Sequence, residues 1–194
     1  MRRTILVLLA TVSLFLCGAI QAFADNITYT ESATATGTIG GTSFTDALVT
    51  ITVVGSTSGI TGTAGGVFEN IGTSGSVTIG GIGTFTLTGI QTAFDSQLFS
   101  FAGITDTPPN GEILATSSSV FATYDLTTSV GPISGTAFFG PGPFGTVGGN
   151  LILESLVQDS TTFEATTRAV PEPNTLLLLG ASLMGFGVIR RWRH

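Results

Sequence analysis

The side chains of this chain that could do chemistry are almost all carboxylates. Its one histidine is His194 and its one cysteine is Cys17. Without an imidazole, the stretch between the two ends has no base for a serine triad and no nitrogen ligand for zinc. What remains is oxygen chemistry. Asp106, Asn110 and Glu112 lie close together around Pro108 and Pro109. Oxygen donors at that spacing could hold calcium, which takes six to eight of them. The pattern is not an EF-hand, and Asp and Asn beside prolines are also ordinary turn residues. Asp95 and Asp125 are a second pair. A glycosidase needs two carboxyls roughly 5 to 9.5 Å apart across a cleft, and nothing in the spacing brings these two together. Tyr29, Tyr124 and the phenylalanines could stack on sugar rings. Tyr124, however, alternates with apolar neighbours as a core residue does, and the one tryptophan, Trp192, lies near the C-terminus. The residues therefore read as non-catalytic, with no resident metal and no cofactor. Asp106, Asn110 and Glu112 are the one metal candidate.

Charge narrows the partners. The chain has 12 acidic and 6 basic residues and no lysine. Between Asp25 and Ala169 the only basic residue is Arg168. Nucleic acid is excluded as a partner, because its affinity rests on lysine and arginine neutralising phosphates. Anionic lipid and anionic polysaccharide are disfavoured on the same ground. Neutral glycans, divalent cations and other proteins are left open.

The elements that would position these residues are strands. The N-terminus comes first: Arg2 and Arg3 precede an apolar run, Ile5 to Ile20, and Ala22-Phe23-Ala24 fits a small-x-small cleavage site. Residues 1–24 thus read as a signal peptide, handled by the general secretion machinery, with Asp25 opening the mature chain. Cys17 leaves with it, so the body folds without disulfides.

The body, 25–169, is rich in threonine, glycine, valine, isoleucine and phenylalanine, and it alternates with period two. Asn26–Thr36 reads as an edge strand. Thr45–Val54 puts Ala47, Val49, Ile51 and Val53 on one face. Residues 55–66 read as turn, followed by short strands at Val67–Ile71 and Ser76–Ile79. Gly80-Gly81 is a turn, and Thr84–Thr88 turns Phe85 and Leu87 inward. Phe94–Phe101 reads as one aromatic strand buried on both faces. Residues 105–111 read as a loop. Glu112–Ala115 and Val120–Leu126 read as strands, the latter with Val120, Ala122, Tyr124 and Leu126 sharing a face. Ile133–Phe139 follows, then a glycine-rich loop over 140–149. Leu151–Val157 and Thr161–Thr167 read as a closing hairpin, with Phe163 and Ala165 inward. The expected fold is all-β: a single antiparallel β-sandwich or jelly-roll-like domain, between an N-terminal signal peptide and a C-terminal transmembrane helix. A stacked β-solenoid is the second reading, weakened by the lack of a fixed period.

The last stretch, 170–194, is organised differently. Val170, Pro171, Glu172 and Pro173 form an extended, helix-breaking segment. An uncharged run from Thr175 through Leu176, Leu177, Leu178 and Leu179 to Ile189 follows, and Arg190, Arg191 and Arg193 end it. As a helix rising ~1.5 Å per residue the run spans roughly 22 Å, and about 27 Å counted through Trp192. That is marginal against a ~30 Å hydrocarbon core, with the arginines on the cytoplasmic side.

A proline-glutamate-proline triplet, an apolar helix and terminal arginines resemble the PEP-CTERM sorting signal of exported bacterial proteins. Asn174 is a small departure from the residues common after the triplet. The resemblance implies recognition by exosortase, cleavage near the motif, and release or re-attachment at the cell surface or outside. It further implies a transient single-pass precursor in the inner membrane and an association with biofilm exopolysaccharide, which would make extracellular polysaccharide a partner. It covers only the tail. The expected function is that of an exported surface or matrix protein with a non-catalytic structural or adhesive β-domain. A glycan- or calcium-binding module is the alternative, ahead of a carboxylate-based hydrolase.

Overall fold

The computed structural model describes residues 26–107, 111–157 and 160–168. The signal and cleavage residues (Ala22, Ala24), the sorting motif and the apolar tail all lie outside them. Among the described residues no helix is long and apolar enough to cross a membrane. They contain 13 strands: β1 Asn26–Ile39, β2 Thr42–Ser56, β3 Ile60–Gly62, β4 Val67–Ile71, β5 Ser74–Ile79, β6 Gly83–Thr86, β7 Ile90–Ser96, β8 Phe101–Thr107, β9 Gly111–Ser117, β10 Val130–Phe139, β11 Phe144–Thr146, β12 Gly149–Leu156 and β13 Ser160–Arg168. The all-β, antiparallel expectation holds. The strands form one continuous sheet, ordered β3-β4-β7-β8-β9-β10-β13-β1-β2-β5-β6, with β12 on β1 and β11 on β12. The sheet curls, and its inner face makes the core.

β1 is the centre of this sheet, which corrects its reading as an edge. Its polar residues alternate with Ile27, Tyr29, Glu31, Ala33 and Ala35, all buried. Half its side chains are thus core-facing, and its backbone is hydrogen-bonded on both sides. β2 runs along one side from Asn26↔Ser56 to Ile39↔Thr42. The two are joined by Gly40-Gly41, both at positive φ (55° and 85°), which suits the twist of a two-residue hairpin turn. On the other side β13 pairs with Asn26–Ser32 and β12 with Ala35–Ile39. β12 and β13 are therefore not the expected hairpin. They lie end to end along the same strand, because β1 is long enough to seat both.

Five further readings are corrected. The aromatic stretch 94–101 is not one strand. β7 stops at Ser96, residues 97–100 turn with Ser100 at φ 55°, and β8 starts at Phe101. Leu98 and Phe99 sit on the turn and are 69% and 70% exposed, so the segment is not buried on both faces. The stretch 120–126 is not a strand either. Ser119–Ala122 form a 3-10 turn that buries Phe121 and exposes Val120 and Ala122, while Tyr124 and Leu126 are buried as expected. Within 140–149, Phe144 is fully buried and carries a short strand. Similarly, part of the expected turn at 55–66 is strand β3, and 105–107 belong to β8.

Val49, Ile51, Val53, Phe163 and Ala165 face inward as expected, and Ala47 is only partly buried. The core falls into two clusters. One is aliphatic, around Val49, Ile51, Val77, Ile104, Leu114, Leu151 and Phe144. The other is aromatic, around Tyr29, Phe121, Tyr124 and Phe163, with Phe121 and Phe163 edge to face at 5.4 Å. On β1 the boundary between them is Glu31, between Tyr29 of one cluster and Ala33 of the other.

Candidate functional site

Two groups of polar side chains are enclosed by this core. The first is built on Glu31. Its place in the inward alternation of β1 leaves the carboxyl 0% exposed. The Thr116 hydroxyl, on β9, hydrogen-bonds to Glu31 Oε1. Thr116 Oγ1 also lies 2.6 Å from Thr161 Oγ1 on β13, and Thr161 donates to the Ala115 carbonyl at 2.9 Å. Among the described residues Glu31 Oε2 has no partner, and neither has Glu112 Oε1. Burial pushes the Glu31 carboxyl up to about 8, against the lowering effect of the two threonine hydroxyls; the nearby Glu112 adds to the rise. Glu112 is itself raised by burial.

The second group surrounds Tyr29. Asn70 Nδ2 donates to the Tyr29 hydroxyl at 2.8 Å, and that hydroxyl donates to the Leu126 carbonyl at 3.0 Å. Leu126 has φ 65°, a conformation a branched side chain rarely adopts, and it is held there by its fully buried side chain and by this bond. Asp95 lies on the inner face of β7, fully buried, with both carboxylate oxygens unpartnered. Burial pushes its carboxyl up to about 7, with Asp125 adding to the rise. Burial also raises the hydroxyls of Tyr29, to about 12, and of Tyr124. Asp125 is partly exposed and caps its own turn, accepting from Thr127 N at 3.0 Å and Thr127 Oγ1 at 2.6 Å.

The sequence candidates fare differently. Asp95 and Asp125, which no spacing rule connects, do come within each other's electrostatic reach. Tyr29 and Tyr124 are both core residues, so neither offers a ring face to a sugar. Asp106 is buried and accepts from Gln91 Nε2 at 3.3 Å, whereas Glu112 lies in the field of Glu31. Asn110 lies outside the described residues. No group of three or more metal-ligating acids, histidines or cysteines occurs among the described residues.

Sequence reasoning missed Glu31 and an aromatic stripe on the outer face. Phe94, Gly103, Ala115 and Phe138 are register partners across β7, β8, β9 and β10. The two small residues leave a trough, and the Phe101 ring bridges it, 5.3 Å from Phe94 and 5.9 Å from Phe138. Phe99, on the turn, extends the stripe at 6.3 Å from Phe101. Strand-face alternation would have grouped Phe94 with Phe138 only if the order β7-β8-β9-β10 and its registers were known.

No curated protein and no solved structure matches the chain. One family does match, over the C-terminal segment alone. Residues 169–191 match the PEP-CTERM protein-sorting motif, so the chain carries an exosortase recognition signal, which implies an exported protein processed from a transient membrane-anchored precursor.

Proposed function

We propose that this is an exosortase-processed surface or extracellular-matrix protein whose β-domain plays a non-catalytic, structural or adhesive part. The match at 169–191 carries the sorting half of that reading. The domain half is supported by the placement of the acids and of the aromatics. Glu31 and Asp95 are sealed from solvent, where no polymeric substrate reaches them. Of the aromatic stripe on the outer face, Phe99 and Phe138 are open to solvent, at 70% and 47% exposure. Contiguous exposed apolar surface on a folded domain marks a place of contact.

The test is co-expression of the full chain with an exosortase, with the exported product weighed by mass spectrometry. A product ending near Pro171–Pro173 supports the reading, and replacing all three motif residues by alanine abolishes the cut. A product retaining Trp192 and His194 refutes processing. Robust hydrolysis of glycans by the exported domain refutes the non-catalytic half.

A second reading, neutral-glycan binding, is favoured by the same stripe. Phenylalanine faces stack on apolar sugar faces without needing charge, and Arg168 is the only cation among the described residues. Retention on a neutral polysaccharide that Phe99→Ala and Phe138→Ala abolish would select it over plain structural packing.

A further inference from the structure

Three oxygen-to-oxygen links join Glu31 to the Ala115 carbonyl: Glu31–Thr116, Thr116–Thr161 and Thr161–Ala115. Each link needs one proton. Each threonine hydroxyl carries one, and a backbone carbonyl carries none. With Glu31 ionised, two protons must serve three links, and one close oxygen pair is left without a hydrogen between its members. With Glu31 protonated, three protons serve three links. All then run in one direction: Glu31 donates to Thr116, Thr116 to Thr161, and Thr161 to the Ala115 carbonyl. The same count explains Glu31 Oε2. As the carbonyl oxygen of a neutral acid, its lack of a partner costs far less than it would for an anion.

We propose that Glu31 is held as a neutral acid and heads a one-directional hydrogen-bond relay, through Thr116 and Thr161 to the Ala115 carbonyl, that clasps β1 to β9 and β13 and lets go when its proton is lost. The relay crosses the inside of the curl. In sheet order β9 and β13 are separated by β10, and β1 lies beyond β13. No backbone ladder joins β9 to β1 or to β13, so side chains supply the cross-link. Gly135 makes room for it. It is the β10 partner of Thr161, and a Cβ there would lie 2.0 Å from the Ser117 carbonyl oxygen and 2.9 Å from Thr116 Cγ2.

The surroundings keep the proton in place. From β9, the charge of Glu112 reaches Glu31 and opposes a second negative charge. From β2, the register partner is Ile51, and from β13 it is Phe163. The charged residues of β13, Glu164 and Arg168, are exposed on the other side of the strand. Among the described residues no cation faces the carboxyl. Proton loss goes to hydroxide, leaves a buried anion beside Glu112, and takes one proton out of the relay. The side-chain clasp between β1 and β9 then loosens.

The experiment uses the full-length chain in detergent micelles. Infrared difference spectra of wild type against Glu31→Gln read the carboxyl directly, and thermal melts are followed from about pH 5 to pH 9. The expected difference spectrum at pH 6 contains the carbonyl stretch of a protonated acid, replaced by carboxylate bands at the alkaline end. Glu31→Gln keeps a neutral donor toward Thr116, so its melting temperature falls less with pH than that of wild type. Thr161→Val interrupts the relay and lowers the melting temperature by ~3–6 °C at pH 6, a deficit that shrinks as Glu31 ionises. Carboxylate bands from Glu31 at pH 6 overturn the proposal. So does a Thr161→Val deficit that is the same at every pH. The valine variant also decides the question if Glu31→Gln fails to fold.

Discussion

Glu31 and Thr116 are separated by 85 positions in the chain, and their side chains meet in the middle of the core. The contact forms because Gly135, on the intervening strand, has no side chain. Gly135→Ala must therefore displace β9 from β10. The expected cost is about 2 kcal/mol or more, the range of an overpacked core without flexible neighbours. Chemical denaturation measures it. A variant as stable as wild type would show that β9 can shift freely, against the close approach described.

Asp95 gives a separate pH signature. Its folded carboxyl is raised from an ordinary value of 3.8 to about 7. A carboxyl raised in this way holds its proton in the folded state while the unfolded chain has already released it. Stability is thus greatest below pH ~4, falls as the pH climbs toward about 7, and is then constant for this group. Asp95→Asn removes the charge at nearly the same shape. It should raise the melting temperature at pH 8 by several degrees and leave it almost unchanged at pH 4. An equal effect at both values would mean that Asp95 is not burying a charge at all.

Tyr29→Phe tests the hub of the aromatic cluster. The substitution keeps the ring and removes one hydroxyl, which leaves the Asn70 amide and the Leu126 carbonyl without their shared partner. Both are in the core, and Asn70 Oδ1 already lacks a partner. The expected loss is ~1–3 kcal/mol, the desolvation cost of stranded polar groups. Double substitution with Asn70→Leu should recover part of it, since an apolar residue needs no partner. Urea melts of the two variants decide this.

Phe163 and Phe99 contrast core with surface. Phe163 is fully buried, with Tyr29, Phe121 and Tyr124 rings at 6.3, 5.4 and 6.2 Å. Phe163→Ala should cost ~3–5 kcal/mol through lost burial and the cavity it leaves. Phe99→Ala, on an exposed turn, should change stability by no more than about 0.5 kcal/mol. A comparable loss from both would mean that the outer stripe helps hold the fold rather than offering a contact surface.

The alternation of β2 and β13 was legible because each has one face in the core, and period two follows directly from that. β1 was legible as a strand and misread as an edge, since every other position is Asn, Thr or Ser and looks solvated. Burial of Glu31 depends on hydroxyls arriving from β9 and β13, and no local window contains them. The split of 94–101 turns on Ser100 at positive φ, a conformation serine rarely takes and composition does not flag. The buried Phe121 was hidden for a related reason: the 3-10 turn at 119–122 has neither of the two periodicities.

Residue order alone determined the targeting signal at 169–191, because a sorting enzyme reads a short contiguous segment. It also determined the strand content, because pleated alternation is written in neighbours. Tertiary structure decided which strands are neighbours, that β12 and β13 share β1, and that an acid is buried between two core clusters. Those depend on contacts between residues far apart in the chain. The free energy of such contacts comes from excluding water between surfaces that meet only once the sheet has curled.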